Sequence, residues 1–189
     1  NNFPTEKFTY FSLPAFDEFG TSTEVFGNEI ESNKFDIQED SILVSKLNPR
    51  KPRVMFARPQ NFRACSSTEF MSYVPKNGFR VSLQYFTHYF FSNNFQKRLQ
   101  LVATGSTNSH VRVSPTETTH WEISFPPLPE QQKIASILTS VDEVIEKTQS
   151  QINKLQDMKK GTMNELLTKG IGHTEFKDSP VGKIPKGWE

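Results

Sequence analysis

The stretch Phe125-Pro126-Pro127-Leu128-Pro129-Glu130-Gln131-Gln132-Lys133-Ile134-Ala135 decides how this 189-residue chain is read. Three prolines in four positions hold the backbone extended and then stop it. Pro129 fits a first helical turn, where its missing N–H is not needed. Glu130 places a carboxylate at the positive end of the helix dipole. Beyond it, apolar residues recur at Ile134, Ile137, Leu138, Val141, Val144, Ile145, Ile152, Leu155 and Met158. Steps of three and four residues predict a long helix with one apolar face. The heptad seam softens at Thr148 and Gln151 and then drifts through Ile152 and Leu166. That drift predicts one or two partner helices rather than a strict coiled coil. Gly170 and Gly172, after Lys169, read as the stop. The stripe needs a cover: a second copy of the chain, a missing half of it, another protein, or the chain's own domain.

Residues 1–125 read as mixed α and β. Ile42-Leu43-Val44, Val54-Met55-Phe56 and Phe70-Met71-Ser72-Tyr73-Val74 are short strand candidates between Pro, Asn and Gly breakers. Trp121, Ile123 and Phe125 alternate as one face of a last strand. Ser82 reads as a helix N-cap, with Leu83, Phe86 and Phe90 following at helical spacing. Phe95, Leu99 and Val102 predict a second short helix, and the phenylalanines read as core.

The formal charge of +1 conceals segregation. Residues 1–45 carry nine acids against two bases, a net −7, and residues 46–112 carry eleven bases against Glu69 alone, a net +10. A surface that mixes both signs rarely has so long a one-signed stretch. The pattern fits an anionic partner, nucleic acid first. The competing reading is that Glu31, Asp36 and Asp40 neutralise the bases within the fold.

Three polar, basic loops interrupt the domain. The first, Ser45 to Arg53, carries Lys46, Asn48, Arg50, Lys51 and Arg53, and its two prolines are expected to hold four cations outward. The second, Arg63 to Glu69, offers Arg63, Ser67 and Thr68. The third, Thr104 to Arg112, offers Gly105, Ser106, Thr107, Asn108 and Arg112. Arg grips guanine in two-pronged fashion, Asn does the same with adenine, and hydroxyls and Lys hold phosphates. For any one residue, a turn or a solvated charge is an equal reading.

Little points to catalysis. The basic loops hold one carboxylate, Glu69, where DNA cleavage requires a metal-holding cluster. Neither a nucleotide-binding glycine pattern nor a phosphate loop is present, nor an Asn/Asp-Pro-Pro-aromatic adenine-methylation motif. His88, His110, His120 and His173 lack metal-ligand spacing. Cys65 is alone, which suits a reducing cytoplasm, and no apolar run is long enough for a membrane span.

Together these residues resemble the specificity subunits of type I restriction–modification systems. The resemblance rests on Ser45-Lys46-Leu47-Asn48-Pro49-Arg50, Ser67-Thr68-Glu69-Phe70, Gly105-Ser106-Thr107 and the proline-to-helix block from Pro126 to Ile134. It continues through Glu165-Leu166-Leu167-Thr168-Lys169-Gly170 and Ile184-Pro185-Lys186-Gly187-Trp188-Glu189. It implies an α+β target recognition domain at 1–125, a long spacer helix at 126–170 that pairs in an antiparallel helical spacer, and a linker at 171–189 leading to a second recognition domain. It implies a non-catalytic subunit in which each recognition domain reads one half of a split double-stranded DNA target. Modification subunits would dock on the helices and restriction subunits would join through them. S-adenosylmethionine, ATP and Mg²⁺ would belong to those partners, and this chain would hold no cofactor. The helix interface implied is Ile134, Ile137, Val141, Val144, Ile145, Ile152, Leu155 and Met158. The family's usual extent suggests the first half of a larger subunit, either a fragment or a half-length form. A helical adaptor without nucleic-acid binding is the alternative, and a nuclease or methyltransferase fragment is a third reading.

Overall fold

A computed structural model describes residues 3–105 and 111–189. The chain divides into two compact units, Asn1–Leu138 and Thr139–Glu189. In the first, strand β1 (Lys7–Phe11) leads to helix α1 (Leu13–Phe19), strand β2 (Thr23–Phe26) and a single 3₁₀ turn (Gly27–Glu29). Strands β3 (Lys34–Ile37), β4 (Ser41–Ser45), β5 (Val54–Ala57), β6 (Arg63–Ser67) and β7 (Phe70–Tyr73) follow. Helices α2 (Leu83–Phe91), α3 (Asn93–Val102) and the one-turn α4 (Pro115–Thr118) precede the long α5 (Leu128–Lys169). The second unit ends in a hairpin of β8 (Phe176–Ser179) and β9 (Gly182–Pro185).

Caps fix the short helices. Ser12 accepts the Ala15 N–H at the start of α1, and Gly20, at φ 71°, closes it through its N–H to the Phe16 carbonyl. Ser82 caps α2 as the sequence predicted, accepting the Tyr85 N–H at 3.2 Å. Ser92 ends α2 and begins α3, so a single residue turns the chain between them.

Two sheets and a helical layer form the first unit. The four-stranded sheet runs β2-β1-β6-β3, with β1 and β6 parallel and the other neighbours antiparallel. The three-stranded sheet runs β5-β4-β7 and is antiparallel throughout. Every residue of β4 is buried. Ile42 and Val44 point into a core with Val54, Met71, Phe86, Phe90, Phe95 and Leu99. Leu43 points the other way, with Met55 and Phe70, toward Phe11, Ile37 and Ala64 of the larger sheet. A strand covered on both faces reads as a continuous apolar run, which is why 42–44 was legible.

Three expectations are corrected. Arg63–Ser67, read as a loop, is a strand paired on both edges, with Ala64, Cys65 and Ser66 buried. Trp121 to Phe125 is not a strand, because the segment joins no sheet. Its alternation is still real, since Trp121 and Ile123 pack on the helical side of the core. The phenylalanines divide: Phe8, Phe11, Phe70, Phe86, Phe90 and Phe95 are buried, whereas Phe19, Phe26, Phe35, Phe79, Phe91 and Phe125 are exposed.

The helix α5 runs 42 residues, a rise of about 60 Å. The Glu130 and Gln131 N–H groups both donate to the Pro127 carbonyl, so the proline block does start it. Gln131 is only 1% exposed. Its side chain accepts the Ser82 N–H at 2.9 Å and donates to the Pro126 carbonyl at 2.8 Å, tying the first turn to the start of α2. Gln131 and Ala135 are the buried residues of α5, and Ile134 is half-buried. Ile137, Val141, Val144, Ile145, Ile152, Leu155 and Met158 are all exposed. Glu143 and Lys147 pair at 3.6 Å on the helix surface. Gly170 stops α5 with φ 67° and an N–H to the Leu166 carbonyl. A Cβ there would lie 2.6 Å from the His173 ring and 2.9 Å from the Trp188 ring, so only glycine fits. The segment expected as a linker folds back into the β8–β9 hairpin, with Pro185 buried.

Candidate nucleic-acid interface

Main-chain hydrogen bonds stitch the three polar segments together. Where β4 ends, the Lys46 N–H donates to the Glu69 carbonyl at 2.9 Å, joining the first loop to the β6–β7 turn. The Val113 N–H donates to the Lys46 carbonyl at 2.9 Å, and the Asn48 N–H donates to the Val111 carbonyl at 2.8 Å, joining the first loop to the third. Thr104 and Arg112 exchange both of their main-chain bonds, closing the third loop on itself. Residues about 60 positions apart thus meet in one clasp, and its backbone groups are spent on one another.

Side chains refine it. The Arg112 guanidinium holds the Glu69 carboxylate through two bonds of 3.1 and 3.2 Å. That carboxylate's hydrogen bonding raises the arginine's pKa still further, so Arg112 stays cationic. Asn48 has φ 47°, a left-handed conformation that Asn tolerates better than most residues, and its carbonyl accepts the Lys51 N–H to close a turn. The Ser67 hydroxyl accepts the Glu69 N–H at 3.2 Å. Around the clasp, Arg50, Lys51, Gly105 and Arg112 are exposed, and Lys46, Asn48, Ser67 and Thr68 are half-buried. Lys46 makes no ion pair with another described residue. Backbone fixed at the centre and cations at the rim suit a polyanion: positive charge grips phosphate, while Asn48 and the hydroxyls supply directional bonds.

Two expected residues sit elsewhere. Arg53 does not point outward: it is 9% exposed, and its guanidinium grips Asp17 through bonds of 2.7 and 2.9 Å. Lys51 reaches the same carboxylate at 2.8 Å from the exposed side. The Arg53 hydrogen bond, more than any other influence, holds the Asp17 carboxyl far below the ordinary carboxylate range. Arg63 stands at the end of β6 opposite Ser67, about 13 Å of strand away. There it lies over the Phe3 and Phe8 rings and within 3.8 Å of Glu6 and Asp36. Ser106, Thr107, Asn108 and His110 lie outside the described residues.

The acids of the first segment therefore neutralise part of the basic one. Asp17, Asp36, Asp40 and Glu6 take Arg53, Lys51, Arg63 and Arg58 between them. Asp36 and Asp40 were expected in this role, while Asp17 and Glu6 were not. Lys46, Lys76, Arg80 and Lys97 make no ion pair with another described residue, and Arg98 lies over the Trp121 ring at 4.3 Å. Among the described residues no cluster of three His, Cys, Asp or Glu side chains could hold a metal. Cys65 is buried, and burial raises its pKa, so the thiol is not activated. Among the described residues no helix is long and apolar enough to cross a membrane.

The family model for the type I restriction modification DNA specificity domain matches residues 16–157. The chain belongs to this family. Among curated relatives, the MjaVIII specificity subunit of Methanocaldococcus jannaschii is 46% identical over 69 residues, 36% of this chain and 16% of that protein. The MjaX specificity subunit of the same organism is 44% identical over 78 residues, 41% of this chain and 18% of that protein. The HsdS subunit from Thermoanaerobacter tengcongensis shares the fold, with a TM-score of 0.62 at 18% identity over 98% of this chain and 47% of that one. A chain from a structure of type I R-M complex assembly matches 87% of this chain and 43% of its own length, with a TM-score of 0.63. The chain thus spans less than half the length of these relatives. In this specificity domain, the clasp and the start of α5 both fall inside the matched residues.

Proposed function

We propose that this chain reads one half of a bipartite double-stranded DNA target for a type I restriction–modification enzyme, without catalysing the chemistry itself. The observation that carries the reading is the clasp, which gathers three distant polar segments at one place and rims them with cations. The exposed stripe of α5 supports a second role, docking modification subunits and pairing with a second recognition half or a second copy. S-adenosylmethionine, ATP and Mg²⁺ would be held by those partner subunits.

The test is DNA binding across a salt series. Lys46 and Arg50 are the residues to change, and Arg53 stays because it holds Asp17. Replacing both by alanine is expected to lower affinity and flatten the plot of log Kobs against log salt by about 2, one for each phosphate no longer neutralised. Selection from a random duplex library should enrich one short motif with the parent chain. Unchanged affinity at every salt level, together with no enriched motif, would favour the helical adaptor instead.

A further inference from the structure

An apolar groove of about 380 Å³ opens on the first unit between the β7–α2 connection and the segment leading to α5. Ile42, Phe86 and Phe90 form its floor, and Val74, Phe79 and Phe125 form its rim. The rim residues are strongly exposed, Phe79 at 66%. The Phe79 N–H closes a turn on the Lys76 carbonyl, which sets the Phe79 backbone at the groove's edge. Lys76 lines the groove, and Arg80 follows Phe79 directly. Neither cation makes an ion pair with another described residue, and no carboxylate lines the groove. The Tyr73 hydroxyl, a polar group in the lining, is already bonded to Thr118 at 2.8 Å. No clasp residue takes part.

We propose that this groove docks a protein segment presenting a bulky apolar side chain flanked by carboxylates. The apolar floor takes the anchor, and the two unmatched cations take the flanking acids. Duplex DNA fits poorly, because its phosphates and base edges are polar while the floor and most of the rim are apolar, and the Tyr73 hydroxyl in the lining is already bonded. The groove and the clasp share no residue, so docking here and DNA reading there can fail separately.

The probe is a phage-displayed library of random short peptides selected on the full chain. Peptides with an aromatic or large aliphatic residue between Asp or Glu residues are expected to be enriched. Phe79→Ala should weaken a selected peptide about tenfold or more. The double change Lys76→Glu and Arg80→Glu should weaken it comparably at low salt and less at high salt. Both changes lie on exposed side chains, and their thermal unfolding should match the parent. No enrichment, enrichment of anchors without acids, or binding indifferent to both variants would overturn the proposal. So would a result in which the charge reversal weakens duplex DNA while no peptide is selected, and that result would leave the clasp reading standing.

Discussion

Arg53→Ala is expected to lower the unfolding free energy by about 3 kcal/mol, the lower end for breaking a buried ion pair by removing one partner. The guanidinium is nearly enclosed, and it joins α1 to the loop before β5 through Asp17. Asp17→Asn leaves that enclosed cation without its charge partner but keeps an amide oxygen to accept from it, and should cost a similar amount, about 3 kcal/mol. Lys51→Ala, which removes an exposed partner of the same carboxylate, should cost only about 0.5 kcal/mol. Urea unfolding of the three variants checks the order. An Arg53→Ala chain as stable as the parent would return this residue to the candidate DNA contacts.

The pair also makes stability depend on acidity. Arg53 holds the folded Asp17 carboxyl far below its ordinary value of 3.8. On acidification the unfolded chain therefore binds the proton first. The contribution is complete above the unfolded value and fades as pH falls from about 4 toward the folded one. The Asp17→Asn chain should lack that component, so its stability curve should approach the parent's as pH drops. Parallel curves would show that the carboxyl is not held down.

This pair also marks where the sequence stopped being readable. Asp17 and Arg53 are 36 residues apart, and each looks like an ordinary surface charge in its own neighbourhood. Ile42-Leu43-Val44 announced β4 because burial on both faces demands a continuous apolar run. Arg63-Ala64-Cys65-Ser66-Ser67 hid β6, because a strand walled by β1 and β3 accepts small residues that composition alone assigns to a loop. Local chemistry announced the caps at Ser82 and Gly170. The three polar loops were visible one at a time. Their convergence was not, because it rests on main-chain bonds such as Val113 to Lys46, which carry no side-chain signature. Trp121 and Ile123 sit between these cases, since the buried face was legible but the absence of a neighbouring strand was not.

Val141→Asp is expected to weaken helix-mediated association about 100-fold, roughly 2.7 kcal/mol. Val141 is 52% exposed on α5, in register with Ile137, Val144 and Leu155, which are also exposed. An uncovered apolar stripe along so long a helix gains by meeting another helix, and each of these half-covered side chains contributes about 1 kcal/mol when the rest of it is buried. An aspartate inside that seam must shed its water without gaining a cation, since its seam neighbours are apolar. On the isolated chain the substitution falls on an exposed side chain, so the fold should survive. Glu143→Ala breaks the surface pair with Lys147 and should change association little. Sedimentation over a range of concentrations measures both variants, alone and mixed with a modification subunit. If the parent chain remains a monomer in both settings, the stripe is not an interface. If Val141→Asp associates as tightly as the parent, the contact lies on another face of α5.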